Sequence, residues 1–212
     1  VYGLTETFGA GTILEPNDHD PALGKLRSCG KVAPTAELKI VNSSGDALGP
    51  NEVGEITYRS KSVMKGYWQN SEATEKSISS GWFSTGDAGY LDEEGYLYIH
   101  DRIKDMIVSG GENVYPAEVE NALFDHPAIG DVAVIGVPDE KWGEAVKAVV
   151  VLKPGSSASE EEIIAHSRAK IAGYKIPKSV DFAEVLPRNP TGKLLKRELR
   201  KPYWEGKDRQ IN

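Results

Sequence analysis

The spacing of turns and apolar residues changes character near residue 104, and this change constrains the fold most. Before it, short alternating runs at residues 35–41, 53–60 and 95–99 read as strands. Turn clusters such as Asn42-Ser43-Ser44-Gly45-Asp46 and Asp92-Glu93-Glu94-Gly95 separate them. Within 53–60 a period of two puts Val53, Glu55, Thr57 and Arg59 on one face, with Gly54, Ile56, Tyr58 and Ser60 on the other. After residue 104 the pattern becomes helix, two strands, helix, strand. Residues 116–125 suit a helix with Pro116 at its first position and Val119 and Leu123 on one side. Residues 131–137 and 145–152 are Val/Ala-rich strands joined by a charged loop at 138–144. Ser159-Glu160-Glu161-Glu162 is a capping box opening a helix with Ile163, Ile164 and Ile171, and Gly173 is its expected stop. A third strand is expected at 180–185, and the polar tail from Trp204 is expected to be loosely ordered. The expected fold class is α+β: a β-rich, barrel-like subdomain in residues 1–103, followed by a small mobile α+β domain in 104–212.

Composition narrows the function. No apolar run in the 212 residues approaches the roughly 18–20 needed to span a bilayer, so no transmembrane segment is expected. A net charge of −7 argues against nucleic acid as a partner, since polyanions favour a basic face. The sequence opens on Val1 without an initiator methionine, a basic n-region or an apolar h-region. It is therefore expected to start mid-protein or after processing, without a secretory signal. Cys29 stands alone, which excludes an internal disulfide and suits a reducing cytoplasm. The histidines at 19, 100, 126 and 166 show no metal-ligand spacing.

Four segments suit phosphate and ribose chemistry. In Tyr2-Gly3-Leu4-Thr5-Glu6 a hydroxyl can donate to a phosphate oxygen, and the adjacent carboxylate can hold Mg²⁺ bridging phosphates. In Phe83-Ser84-Thr85-Gly86-Asp87, Gly86 allows close backbone approach and a tight loop presents Asp87. Its carboxylate can take both hydroxyls of a ribose, or simply cap its own turn. Asp101-Arg102-Ile103-Lys104-Asp105 leads into Ser109-Gly110-Gly111, a charged connector and a Gly-rich loop suited either to a hinge beside a ligand channel or to an ordinary linker. Arg102 offers a planar fork of donors. In Asn189-Pro190-Thr191-Gly192-Lys193 a stiff loop can deliver a lysine to developing phosphate charge. This is no Walker loop, because the upstream glycines and the following Ser/Thr are missing.

In this order the four segments resemble the adenylate-forming superfamily of acyl-CoA synthetases, peptide-synthetase adenylation domains and firefly-type luciferases. The run Gly110-Gly111-Glu112-Asn113-Val114-Tyr115-Pro116 resembles its fatty- and aryl-acyl-CoA ligases in particular. The resemblance implies an enzyme that joins a carboxylic acid to coenzyme A through an acyl-adenylate, using ATP and Mg²⁺ and releasing pyrophosphate and AMP. By it, Thr5 contacts the AMP phosphate, Glu6 binds Mg²⁺, and Tyr2 and Gly3 border the adenine and acyl pockets. Asp87 holds the ribose hydroxyls beside Arg102, Lys104 is the hinge, and Lys193 assists adenylation. Ser109, Gly110 and Gly111 line the pantetheine channel after the small domain turns. The resemblance gives Trp142 a place near the active face, with plain packing as the alternative. Lys175 and Lys178 are either coenzyme A phosphate contacts or surface lysines.

The family's Ser/Thr/Gly-rich loop for the outer phosphates is not among these residues, so the chain alone is expected to be inactive and to require the upstream part of its own large domain. The expected location is cytoplasmic, or membrane-peripheral if the acid is a long-chain fatty acid. The alternatives are an amino-acid adenylation domain that loads a carrier protein, a luciferase-like oxygenase, and a non-catalytic nucleotide-contacting module.

Overall fold

The computed structural model describes residues 1–207. Its contacts divide the chain into two compact units, Val1–Ile103 and Lys104–Asn212.

The first unit holds two antiparallel sheets. The smaller has the order β1 (Tyr2–Leu4), β2 (Gly9–Ile13), β3 (Lys31–Val32). The larger contains β4 (Ala36–Val41), β5 (Gly54–Ser60), β6 (Ile78–Ser79), β7 (Trp82–Leu91) and β8 (Leu97–Arg102). Its order is β4-β5-β7-β6, with β8 also paired to β7. A short helix, α1 (Ser71–Ser77), precedes β6 and is capped by Asn70, whose side chain accepts from Ala73 N at 3.0 Å. Both expected turn clusters close through their first residue. Asn42 Oδ1 accepts from the amides of Ser44 and Asp46, and Asp92 Oδ1 from those of Glu94 and Tyr96. Ile40, Ile56 and Leu97 form the core, with Tyr2, Cys29, Leu38, Leu48 and Leu91 packed against it. Cys29 is half-buried, and that burial pushes its thiol pKa up.

The second unit opens with a hairpin of β9 (Ile107–Ser109) and β10 (Glu112–Val114). It continues through α2 (Pro116–Phe124), β11 (Ile129–Asp139), β12 (Gly143–Leu152), α3 (Glu160–Arg168), β13 (Ser179–Phe182) and α4 (Lys196–Trp204). The sheet runs β10-β9-β12-β11, and β13 lies parallel to β12. The valine-rich strands have no polar face because both faces are covered. Val132, Val134, Val146, Ala148 and Val150 meet Val119, Leu123 and Ile163 of the two helices on one face. Ala133, Ile135, Val137, Ala145 and Val149 meet Leu186, Leu199 and Tyr203 on the other.

The structure departs from the sequence reading most at three elements, and besides these the strand expected at 180–185 ends at Phe182 while Asp101 and Arg102 of the expected connector lie on β8. The Ser159 capping box forms, but α3 stops at Arg168, short of Gly173. The chain turns there on the buried Ser167, which brings Ile171 onto the core, and Gly173 opens a separate 3-10 turn. Residues 82–91, read as a loop around Asp87, are one long strand. Helix α4 was not expected at all, because its sequence is mostly polar. Charged and aromatic side chains dock it, and Trp204, placed in the loose tail, donates Nε1–H to Gly136 O at 2.9 Å. The remainder of that tail, residues 208–212, lies outside the described residues.

Candidate active site

In the first unit, Asp87 sits in a bulge. Across β5 and β7, Glu55 faces Ala88 and Thr57 faces Ser84, so one residue, Ile56, opposes the three residues Thr85, Gly86 and Asp87. Three hydrogen bonds hold the excess chain. Thr85 Oγ1 donates to Ile56 O at 2.7 Å, Asp87 N donates to Thr85 Oγ1 at 3.2 Å, and Gly86 N donates to Glu55 Oε1 at 3.1 Å. Gly86 takes φ of +72°, where a Cβ is disfavoured. The bulge turns Asp87 toward Tyr2, whose hydroxyl donates to Asp87 Oδ2 at 2.9 Å. Arg102 is Asp87's register partner on β8, and its Nε lies 3.8 Å from Oδ1. Two donors from separate strands therefore converge on one carboxylate, an arrangement suited to an alcohol pair or another small donor group.

Neighbouring groups titrate accordingly. Burial pushes the Tyr2 phenol well above its ordinary value, and the adjacent Asp87 charge adds to the shift. Burial likewise raises the Glu55 carboxyl, with Asp87 pushing the same way, while the Gly86 amide and the Ser84 side chain oppose it.

Thr5 and Glu6 follow β1 in a 3-10 turn, Thr5–Thr7. The turn is closed by the buried Thr7, whose hydroxyl accepts from Leu4 N and donates to Leu4 O, both at 3.0 Å. Thr5 and Gly3 are exposed. Thr5 lies three residues beyond Tyr2, within roughly 10 Å of it along the chain at ~3.3 Å per residue. Glu6 Oε1 accepts from Tyr67 OH at 3.1 Å. Among the described residues no group of three or more His, Cys, Asp or Glu side chains could hold a metal. A single carboxylate suits only a magnesium ion that arrives on nucleotide phosphates, and Glu6 fits that requirement.

In the second unit, Lys104 lies in the turn Ile103–Asp105 at the boundary between the units. Ser109, Gly110 and Gly111 form the tip of the β9–β10 hairpin, with Ser109 paired to Glu112. Gly110 and Gly111 both have positive φ, +63° and +86°, as a two-residue hairpin turn demands. A Cβ on Gly110 would stand 2.6 Å from the Trp142 ring, and Gly110 N donates to Trp142 O at 2.8 Å. The segment is thus a tight turn packed under Trp142, at the place the sequence reading gave to a hinge beside a ligand channel or to an ordinary linker. Trp142 remains 41% exposed, so it covers the turn without being enclosed.

Lys193 is exposed on a closed loop. Asn189 organises this loop: its Oδ1 accepts from Thr191 N (3.1 Å), Thr191 Oγ1 (2.8 Å) and Lys193 N (2.8 Å), and its own amide donates to Lys193 O at 2.9 Å. Arg188 fastens the loop to β11, donating to Gly192 O at 2.9 Å and to Asp131 Oδ2 at 2.7 Å. Lys175 is paired with Glu118 at 2.6 Å, and Lys178 is exposed.

The structure therefore brings Tyr2, Asp87 and Arg102 together, with Thr5 and Glu6 nearby in the chain, and separately sets Lys193 on a stiff loop. Sequence reasoning missed Glu55, Thr85, Tyr67 and Asn189. Only Asn189 left a readable signal, an Asn two residues before Thr191 in a Pro/Gly turn.

Residues 1–68 match the AMP-binding enzyme family, and residues 118–193 match the AMP-binding enzyme C-terminal domain. A fatty acid–[acyl-carrier-protein] ligase of Streptomyces coeruleorubidus is 42% identical over 212 residues, which is 100% of this chain and 41% of that protein. A long-chain-fatty-acid–CoA ligase of Mycobacterium tuberculosis is 47% identical over 202 residues, 95% of this chain and 39% of that protein. The solved o-succinylbenzoate CoA synthetase of Bacillus subtilis, in complex with its acyl-adenylate intermediate, superposes with a TM-score of 0.84 at 42% identity, covering 93% of this chain and 40% of that one. The chain thus spans about two fifths of the length of the relatives it matches.

Proposed function

Because the chain belongs to the family of AMP-binding, adenylate-forming enzymes, we propose that it supplies the ribose-holding wall and the lysine-bearing domain of an ATP-dependent acid–thiol ligase. The observation that carries this reading is the bulge that aims Asp87 between Tyr2 and Arg102. In the proposed reaction a carboxylate oxygen of the acid attacks the α-phosphorus of ATP, and the bond to pyrophosphate breaks. A thiolate then attacks the acyl carbon of the adenylate, its bond to the phosphate oxygen breaks, and AMP leaves. The acid is proposed to be fatty or similar and the thiol coenzyme A.

Asp87 accepts both ribose hydroxyls beside Arg102, which fixes the α-phosphate relative to Thr5. Tyr2 and Gly3 border the base and acyl pockets. Lys193, held by the Asn189 loop, neutralises charge developing at the α-phosphate. A magnesium ion bound through Glu6 would offset the charge of the nucleotide phosphates. The second unit is proposed to turn about Lys104 between the half-reactions, withdrawing Lys193 and bringing Ser109, Gly110 and Gly111 to the incoming thiol. A second reading has a carrier-protein thiol as acceptor, supported by the match along the whole chain to an acyl-carrier-protein ligase.

Two experiments test the proposal. AMP titrated onto the 212-residue chain should shift the Asp87 and Arg102 amides in NMR spectra, whereas 2′,3′-dideoxy-AMP should not; equal binding of the two removes the ribose role. Second, the chain is fused behind the N-terminal part of the B. subtilis synthetase and assayed for AMP and thioester. Lys193→Ala should lower AMP formation by about 10²–10³-fold, the typical effect of losing one preorganised charge-stabilising group. Unchanged AMP formation refutes the lysine's role, and AMP without any thioester refutes the ligase reading.

A further inference from the structure

Helix α4 begins three residues after Lys193, and Leu195 N donates to Pro187 O at 2.8 Å, so the closed lysine loop and the helix are joined without a flexible spacer. Four side chains fasten the helix, each to a different element. Lys196 pairs with Glu120 of α2 at 2.8 Å, Tyr203 donates to Asp181 of β13, and Trp204 donates to Gly136 O of β11. The fourth is Arg200. Its Nη2 is paired with Asp105, and its Nη1 donates to Lys104 O at 3.3 Å. The Arg200 and Asp105 side chains are only 12% and 14% exposed. Lys104 and Asp105 are the first two residues of the second unit, directly after the boundary at Ile103.

We propose that Arg200 is a positioning residue that clamps the joint residues Lys104 and Asp105 to the helix joined to the Lys193 loop, so that rotation at the joint reaches the lysine without slack. This rests on the reading in which Lys193 serves adenylation and the unit turns about Lys104. The physical argument is one of geometry. A guanidinium is a planar, rigid fork, and this one grips a carboxylate and a backbone carbonyl of adjacent residues simultaneously. Arg200 lies one turn beyond Lys196, roughly 6 Å along the axis at ~1.5 Å per residue. The clamp therefore lies about one turn from the end of the helix to which the lysine loop is joined. Removing Arg200 leaves Lys196, Tyr203, Trp204 and the apolar contacts of Leu199 in place, so α4 stays docked while the joint loses its anchor.

The first test needs no activity. In the 212-residue chain, amide hydrogen exchange at residues 104–107 should speed up at least about fivefold in Arg200→Ala, with residues 129–152 unchanged. Arg200→Lys keeps a charge but not the fork and should fall between the two. Unchanged exchange at 104–107 in Arg200→Ala overturns the clamp, as does Arg200→Lys matching Arg200→Ala. Asp105→Asn, which keeps the side-chain shape, should loosen the same residues, and no loosening there also overturns it. The second test uses the fusion with the B. subtilis N-terminal part. Arg200→Ala should lower kcat for AMP formation about tenfold with KM for ATP within twofold of the parent. A parental kcat despite faster exchange overturns the positioning role while leaving the ligase reading intact. Unchanged AMP formation in Lys193→Ala, by contrast, refutes the lysine's role on which this inference rests, whereas the hydrogen-exchange result tests the grip of Arg200 independently of it.

Discussion

Alanine at Gly110 and at Gly111 should differ in cost, although the two glycines are adjacent and both have positive φ. At Gly111 the backbone conformation, φ +86°, is the whole penalty, since nothing lies within 4 Å of an added Cβ. Left-handed backbone costs an L-residue about 1–2 kcal/mol. At Gly110 the same penalty applies, and the methyl would also stand 2.6 Å from Trp142 Cε3 and 3.1 Å from Cζ3. Carbon atoms at rest sit ~3.5–4.0 Å apart, so the ring must retreat by about 1 Å. Overpacking costs ~1–3 kcal/mol, and the half-exposed ring can swing outward, which favours the lower end of that range. Gly110→Ala should therefore destabilise the second unit by about 2–3 kcal/mol and Gly111→Ala by about 1–2 kcal/mol.

Because two units need not unfold together, the measurement should be residue-resolved: urea titration followed through the indole N–H resonances of Trp142 and Trp204. With m of ~1–3 kcal/mol/M, a difference of about 1 kcal/mol separates the midpoints by several tenths of a molar or more. Trp142→Ala in the Gly110→Ala background should erase the difference, because only the backbone penalty then remains. Equal midpoints for the two alanine variants, or no relief from removing the ring, would refute the packing argument.

Two further predictions concern the loop and the bulge. Asn189→Ala removes the acceptor of the Lys193 amide. At about 1 kcal/mol for one net hydrogen bond, Lys193 amide exchange should rise roughly fivefold; unchanged protection would mean that the Asn189 side chain does not hold the turn. The Glu55 carboxyl has a raised folded-state pKa, chiefly from burial, so between the ordinary glutamate value and that raised value the folded state binds more protons than the unfolded. Its contribution to stability is therefore present at low pH and declines as pH rises through that window, and Glu55→Gln should flatten this part of the urea midpoint-against-pH curve. A slope unaltered by the substitution would assign it to other groups.

Much of this protein was legible without coordinates. The turns at Asn42 and Asp92, the Pro116 helix, the Ser159 capping box and the paired Val/Ala strands are fixed by local hydrogen bonding and by periodicity, and sequence displays both directly. The four motifs likewise named Tyr2, Asp87, Arg102 and Lys193, because such chemistry restricts residue type and order. Sequence could not show that Asp87 lies on a strand, since a bulge depends on which residues of β5 stand opposite β7. That pairing also makes Glu55, an ordinary alternating residue by pattern, the acceptor that holds Gly86. Nor could sequence reveal α4. Its side chains find Glu120, Asp105, Asp181 and Gly136 only after distant segments have folded, and its apolar side, Leu199 and Tyr203, is too short a stripe in a mostly charged segment to announce it. Residue type and order determined which groups the family resemblance singles out; tertiary pairing decided how Asp87 and Lys193 are held, because Tyr2, Glu55 and Arg102 around Asp87, and Asp131 behind the Lys193 loop, come from distant parts of the chain.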